Sequence, residues 1–232
     1  MQKLSASFDQ AAYWRERHRK LRGDHRATGN ISRSPEEMLQ RKIVQAYFFA
    51  AVVRSILAEK RNPSSWLAGS GRRVLDIGFG TGFLGSLLAP DLPYAGYDLS
   101  EIAIEDAARM CPEGRYSLRN IARQSAEPAE IIIASEVLFH IVDDADWRAA
   151  LRNIASALPP DGIFFFTETF VERIEPGPAH FKPRTRILYE EALEAAGLRF
   201  LHPGELRLAD IPVFNQYPPF LRTAHFVRAI PR

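Results

Sequence analysis

The segment from Val74 to Gly85, VLDIGFGTGFLG, constrains the fold of this chain more than any other. A short apolar run ends in glycines at alternate positions, Gly78, Gly80 and Gly82, and a further apolar segment follows. Glycine allows the backbone to turn sharply and lets a ligand approach without a Cβ in the way. The segment therefore predicts a strand, a ligand-binding turn and a helix.

From residue 73 onward, short apolar runs alternate with helical segments, which is typical of βαβ units and a parallel sheet. The runs IIIA (131–134) and IFFF (163–166) lack polar alternation, as expected for central strands covered on both faces. The pattern predicts strands near 73–77, 94–97, 116–119, 130–135 and 162–168, and helices near 83–89, 101–110 and 145–157.

The C-terminal third of the chain predicts a helix and two more strands. The helix lies near 188–196, with Gly197 as its C-cap, and the strands lie near 198–201 and 223–230. No convincing helix joins these strands, which favours antiparallel pairing. The fold class is therefore α/β, a Rossmann-like, doubly wound, mostly parallel seven-stranded sheet whose last strand is antiparallel.

The N-terminal part predicts a helical lid. A helix over 8–20 and a loop over 23–35 precede a long helix that runs from Pro35 to about Ala58, with Ser34 as its cap. Helical spacing predicts that one face of the long helix packs on the main domain; it carries Met38, Ile43, Val44, Tyr47, Phe48, Ala51, Val52 and Ile56. We expect an N-terminal helical lid over 1–60 and the main α/β domain over 61–232.

Charge and cysteine content limit the partners. The 30 Lys and Arg residues nearly balance 28 Asp and Glu, so no nucleic-acid partner is expected. The lone cysteine, Cys111, fits a reducing cytoplasm and predicts neither a disulfide nor a metal site. A membrane span or secretion signal is not expected either, and the oligomeric state stays open. A basic cluster either binds an anionic substrate or forms a solvated helix face; it comprises Arg15, Arg17, His18, Arg19, Lys20, Arg22, His25 and Arg26.

At the glycine-rich turn the sequence resembles the class I S-adenosylmethionine-dependent methyltransferases, whose first motif is an acid followed by Gly-x-Gly-x-Gly at a strand end. Asp76, Gly78, Gly80 and Gly82 match this motif. The second match is Asp98, at the end of the next strand, where an acid can accept hydrogen bonds from both ribose hydroxyls. The segments IIIASEVLFH (131–140) and LPPDG (158–162) extend the resemblance through the fifth strand.

The turn also satisfies the dinucleotide fingerprint Gly-x-Gly-x-x-Gly over residues 80–85. Dinucleotide-binding domains need no acid such as Asp76 before the turn, and their last strand is normally parallel. These two differences favour the methyltransferase interpretation.

The resemblance implies S-adenosylmethionine as the cofactor and predicts its binding residues. After the third strand the family usually carries an acid that meets adenine, whereas this chain has Asn120, whose amide oxygen can accept the same bond. Tyr13 and Trp14 resemble an N-terminal element that some small-molecule members of the family fold over the cofactor; the alternative is an aromatic face that packs on the core. The predicted cofactor-binding set is Tyr13, Asp76, Gly78, Gly80, Gly82, Asp98, Leu99, Asn120 and Glu136.

His140 follows the fourth strand closely, and a histidine there can remove the proton of a hydroxyl acceptor. It can equally be a packed, hydrogen-bonded histidine. His180 is a second candidate base. Three further aromatic residues, Phe214, Tyr217 and Phe220, either line an acceptor pocket or cover the sheet edge.

We expect O-methylation of a small molecule. The alternatives are methylation of an amine, a carbon, RNA or protein, and a non-catalytic module that binds S-adenosylmethionine.

Overall fold

A computed structural model describes residues 8–59, 73–202, 205–206 and 223–230 of the chain. The N-terminal part contains α1 (Gln10–Lys20), a 3-10 helix (His25–Thr28) and α2 (Pro35–Glu59). The strands are β1 (Val74–Ile77), β2 (Tyr94–Asp98), β3 (Arg115–Leu118), β4 (Ile131–Ser135), β5 (Ile163–Thr167), β6 (Leu198–Phe200) and β7 (Ala224–Ala229). The remaining helices are α3 (Phe83–Leu88), α4 (Glu101–Met110), a 3-10 helix (Leu138–His140), α5 (Asp144–Ala157) and α6 (Arg186–Ala195).

The seven strands form one sheet in the order β3-β2-β1-β4-β5-β7-β6. Strands β1 to β5 pair in parallel, whereas β7 lies antiparallel between β5 and β6. The predicted fold class is thereby confirmed, including the antiparallel final pair. The predicted connection over 211–220 and the domain boundary at residue 60 lie outside the described residues.

Alternate side chains of β1 enter two different hydrophobic cores. Leu75 and Ile77 pack in a core with Trp147 of α5 and Tyr189 of α6. Val74 points to the other side, where α2 and α3 pack on the sheet. The sheet is therefore covered on both faces, which explains the unbroken apolar runs of β4 and β5.

Helix α2 begins as predicted, at a capping box. The Glu37 amide donates to Ser34 Oγ at 3.2 Å, and the Ser34 amide donates to Glu37 Oε2 at 3.2 Å. Two predicted core positions are wrong, because Ile43 and Tyr47 are exposed. The buried face of α2 differs from the predicted one: it includes Phe49 and packs on β1, β4 and β5.

The predicted N-terminal loop over 23–35 also needs correction, because residues His25–Thr28 form a 3-10 helix. Asp24 caps it by accepting from the Arg26 amide at 2.8 Å. Ion pairs dock α1 and the turn that follows it on α4: Arg15 Nε lies 3.0 Å from Glu101, and Arg22 Nη2 lies 2.8 Å from Glu105. In the described part of the chain no helix combines the length and the apolar content that crossing a membrane requires.

Candidate functional site

A deep cleft opens at the carboxyl ends of β1, β2 and β4, and α1 and α2 cover it. The strand order reverses between β1 and β4, and such switch points are where open α/β sheets bind ligands. The empty space is about 1010 Å³, open solvent at the mouth included. The sheet side contributes Asp76, Gly78, Gly80, Asp98, Leu99, Asn120, Glu136 and His140; the lid side contributes Gln10, Trp14, His18, Thr28, Lys42, Gln45 and Phe49.

The predicted turn follows β1 with a left-handed backbone at its glycines. The φ angles are 69° at Gly78, 56° at Gly80 and 76° at Gly82. A Cβ at Gly78 would lie 2.5 Å from a methyl group of Val137, and a Cβ at Gly80 would lie 2.7 Å from the Thr28 methyl. Both the backbone conformation and the close approach of the neighbours therefore require glycine here.

Asp98 is buried at the carboxyl end of β2 and is held by backbone amides. Its Oδ2 accepts from the Gly80 amide at 3.1 Å, and its Oδ1 accepts from the Ser100 amide at 3.0 Å. Burial raises the pKa of Asp98 above its ordinary value. A carboxylate can accept about four hydrogen bonds, so Asp98 keeps acceptor capacity for hydroxyl groups of a ligand in the cleft.

Asp76, in β1, also lines the cleft. The Tyr94 hydroxyl donates to its Oδ2 at 2.7 Å. Burial raises the pKa of Asp76 to about 7, although the Tyr94 hydrogen bond acts in the opposite direction. Its charge near neutral pH is therefore sensitive to what binds beside it.

Glu136 adopts a positive φ of 57° directly after β4, the only non-glycine residue to do so among the described residues. Its amide donates to Thr167 Oγ1 at 2.8 Å, which fixes the turn. Burial by itself would raise the pKa of Glu136, but the Lys42 and Arg41 cations outweigh it and hold that pKa below its ordinary value. Glu136 thus pairs with two cations of α2, of which Lys42 lines the cleft with it.

Asn120 lines the cleft after β3, where the family usually has an acid. Its Oδ1 accepts from the Ala122 amide at 2.9 Å, and its own amide donates to Gln124 Oε1 at 2.8 Å. The side-chain oxygen that was predicted to meet adenine therefore already has one local partner in this structure.

His140 ends the 3-10 helix that follows β4, with its ring in the cleft. Its Nδ1 lies 2.6 Å from the His180 carbonyl oxygen, so Nδ1 carries the proton and Nε2 is the acceptor nitrogen of the neutral ring. Trp14 packs edge-on against the ring at 4.7 Å. Burial lowers the pKa of His140 to about 4, although the bond to His180 acts against this.

Two further predicted site residues, Tyr13 and His180, contact each other instead of lining the cleft. Their rings stack on each other at 4.7 Å, and neither is among the described residues that line the cleft. The Tyr13 hydroxyl accepts from Arg17 Nη1 at 2.9 Å. His180, predicted as a second candidate base, thus contributes its backbone carbonyl, which orients the ring of His140.

Several lid residues that line the cleft were not in the predicted cofactor-binding set, although Trp14 was predicted to belong to an element that folds over the cofactor. In α1 these are Gln10, Trp14 and His18, which are spaced four apart and therefore share one helix face. That spacing was visible in the sequence. Its meaning was not, because an aromatic and polar stripe is equally typical of a solvated helix.

Most of the basic cluster is paired with acids. Arg15 contacts Glu101, Arg19 and Lys20 contact Glu16, Arg22 contacts Glu105 and Asp106, and Arg26 contacts Asp24. These contacts favour an ion-paired helix face over an anion-binding site. The three aromatic residues Phe214, Tyr217 and Phe220 lie outside the described residues.

Comparison with known families decides what kind of protein this is. Residues 13–203 match the family described as "Methyltransferase domain". The chain belongs to this methyltransferase family. The predictions of a class I S-adenosylmethionine-dependent methyltransferase, and of S-adenosylmethionine as the cofactor of this enzyme class, are confirmed.

Solved structures agree with this fold. The chain is similar to magnesium protoporphyrin IX methyltransferase from Synechocystis PCC 6803, with a TM-score of 0.63, 15% identity, and 98% of this chain and 100% of that chain covered. It is also similar to DesVI from Streptomyces venezuelae (TM-score 0.58, 16% identity, 80% and 92% covered). A third is CalS10, an amino pentose methyltransferase from Micromonospora echinaspora (TM-score 0.58, 16% identity, 80% and 90% covered). A sequence search of curated proteins found no match.

Proposed function

We propose that this methyltransferase transfers the methyl group of S-adenosylmethionine to a hydroxyl group of a small molecule, and that His140 receives the hydroxyl proton. The observation that carries the proposal is the hydrogen bond between His140 Nδ1 and the His180 carbonyl, which leaves Nε2 as a proton acceptor in the cleft. Two enzymes of similar fold support a small acceptor, because they are named for magnesium protoporphyrin IX and for an amino pentose.

The cleft fits an adenosyl ligand. The glycine turn has no room for side chains at Gly78 and Gly80, so the backbone itself faces the ligand. Asp98 offers a buried carboxylate for the two ribose hydroxyls, with both oxygens already oriented by backbone amides. Leu99 and Ile121 supply apolar surface beside it, and Lys42 and Glu136 supply charges of both signs for an amino-acid group.

When bound, S-adenosylmethionine supplies a methyl group that is already electrophilic on a positively charged sulfur. The protein therefore acts chiefly by aligning the acceptor and excluding water. Trp14 and Phe49 form apolar walls of the cleft on the lid side, and Val137 forms one on the sheet side. Because α1 covers the cleft, it separates the reacting atoms from solvent.

A weakly basic His140 is sufficient for the proton transfer. As a hydroxyl oxygen gains a methyl group it becomes positively charged, and its proton becomes strongly acidic. His140 is neutral at pH 7 because burial holds its pKa at about 4, so Nε2 is ready to accept that proton. The wild-type rate should then show no titration of His140 between about pH 6 and 8, since the neutral form persists across that range.

Calorimetry with S-adenosylmethionine and S-adenosylhomocysteine tests the first half of the proposal. Asp98→Asn should weaken binding by about 10- to 100-fold, because hydrogen bonds to a charged acceptor contribute about 1.5–3 kcal/mol. Asp91→Asn is the matched control, since Asp91 lies on the surface in an exposed pair with Arg54. Wild-type protein that binds neither compound at millimolar concentration would refute the proposal.

Variants at His140 test the second half. Once an acceptor screen has found a substrate, His140→Ala should lower kcat by about a hundredfold or more while binding of S-adenosylhomocysteine stays unchanged. His180→Ala should cost much less, because the backbone carbonyl that orients His140 remains. Unchanged turnover in His140→Ala would remove the base from the mechanism, and an acceptor that proves to be an amine would contradict O-methylation.

A further inference from the structure

His18 is a buried polar residue in the lid that the proposed chemistry does not use. Its side chain points from α1 into the cleft and the residue is only 5% exposed. Neither Nδ1 nor Nε2 has a hydrogen-bond partner among the residues that the structure describes. Leaving such a group buried without a partner destabilises the protein, so a ligand that supplies the partner is favoured.

The surroundings of His18 place it beside the glycine turn and Asp98. His18, Gly80 and Thr81 line both the cleft and a second cavity on the α4 side of the turn. Asp98 also lines the cleft, and its Oδ2 accepts from the Gly80 amide at 3.1 Å. His18 and Asp98 therefore flank the same part of the cleft, one from the lid and one from the sheet.

A second lid residue shows the same feature. Thr28 Oγ1 is buried and has no hydrogen-bond partner within the described part of the chain. The Thr28 methyl is the group that a Cβ at Gly80 would meet. Two unpartnered polar side chains from separate lid elements thus face the turn that adjoins Asp98.

Burial lowers the pKa of His18, and the Asp98 carboxylate only partly opposes this. The ring is therefore neutral at pH 7, with one nitrogen that donates and one that accepts. A hydroxyl group needs both kinds of partner, whereas the Asp98 carboxylate can only accept. A neutral imidazole opposite a carboxylate suits a pair of neighbouring hydroxyls.

We propose that His18 binds the ribose hydroxyls of the adenosyl ligand from the lid, while Asp98 binds them from the sheet. The Thr28 hydroxyl contributes beside it. This inference rests on the proposed function. It also links the lid to the ligand, because His18 of α1 and Thr28 of the 3-10 helix gain hydrogen-bond partners when the nucleoside binds. Lid closure and adenosyl binding are then coupled.

Calorimetry with two ligands tests the assignment. The ligands are S-adenosylhomocysteine and its analogue that lacks the ribose 3′-hydroxyl, and the variants are His18→Phe, which keeps an aromatic ring, and His18→Gln, which keeps a donor and an acceptor. His18→Phe should bind S-adenosylhomocysteine about 10- to 100-fold more weakly, and His18→Gln should recover most of the affinity. The loss in His18→Phe should be smaller for the deoxy analogue, because one hydroxyl partner is already missing.

The matched control is His25→Phe, since His25 belongs to the same lid but contacts Phe83 and does not line the cleft. It should bind both ligands like the wild type. Thermal melting without ligand checks folding, and His18→Phe should melt no lower than the wild type because it removes an unpartnered polar group. The ¹⁵N shifts of the His18 ring in wild-type protein, which should move with S-adenosylhomocysteine, provide a readout that needs no variant.

The outcomes separate this inference from the proposed function. If wild-type protein binds S-adenosylhomocysteine and His18→Phe binds it equally well, the role of His18 is refuted and the proposed function stands. Equal losses for both ligands, or ring shifts that do not move, would also refute it. If wild-type protein binds neither ligand, the proposed function fails first.

Discussion

Replacing Gly80 by alanine should lower both the stability of the protein and its affinity for the ligand, and the structure gives the size of each change. Its φ of 56° is left-handed, which costs a side-chain-bearing residue about 1–2 kcal/mol. Gly197→Ala is the matched control, because Gly197 has a φ of 78° and a Cβ added there would have no neighbour within 4 Å among the described residues. The backbone cost alone should therefore lower the melting temperature of each variant by about 2–8 °C, at about 2–4 °C per kcal/mol for a chain of this size, and Gly80→Ala should lose more than Gly197→Ala because of its additional close contact.

Only Gly80→Ala should also weaken ligand binding. Its new Cβ would lie 2.7 Å from the Thr28 methyl, a contact too close for either group to keep its place. Overpacking of this kind costs about 1–3 kcal/mol, and displacing Thr28 moves the lid away from the turn. Binding of S-adenosylhomocysteine should fall by about 10- to 100-fold, whereas Gly197→Ala should bind normally.

A second substitution shows whether the contact with Thr28 is the cause. Thr28→Ser removes the methyl group and keeps the hydroxyl, so the double variant with Gly80→Ala should recover most of the lost affinity. Calorimetry on the four proteins of this cycle gives the coupling directly. Normal affinity in Gly80→Ala, or no recovery in the double variant, would refute the close approach of lid and turn as part of the binding site.

Two further predictions concern the core beneath the cleft. Burial raises the pKa of Glu168 from 4.5 to about 7, so the folded state retains a proton that the unfolded state releases, and stability should fall as pH rises through this range. In Glu168→Gln, which can still accept from the Tyr189 hydroxyl, denaturant unfolding between pH 5 and 8 should show a flatter profile; an unchanged slope would contradict this. Arg184 is fully buried and donates from Nη2 to the Ile141 carbonyl at 2.8 Å and to Asp144 Oδ1 at 2.9 Å. Arg184→Lys cannot reproduce this fork and should lose about 1–3 kcal/mol in urea unfolding with an unchanged m-value, whereas wild-type stability would refute the role of the fork.

The local sequence pattern was sufficient to predict the sheet and the glycine turn. Apolar runs such as Ile131–Ser135 can only be buried on both faces, and glycines at positions 78 and 80 are needed wherever the backbone turns left-handed beside close neighbours. Asp98 was predictable as well, because parallel strands bring their carboxyl ends to one edge of the sheet. These features depend on residues that are neighbours in sequence or on a rule that holds for all such sheets.

Tertiary contacts determined the tautomer of His140 and which side chains of the lid are buried. The tautomer of His140 depends on the backbone carbonyl of His180, which lies 40 residues away. The burial of His18 and the exposure of Tyr47 depend on how α1 and α2 rotate against the sheet, and helical spacing alone allows several rotations. The amino-acid sequence specified a methyltransferase fold and its glycine turn, whereas only packing between distant segments determined which lid residues face the cleft, because that choice is made by contacts that no local pattern encodes.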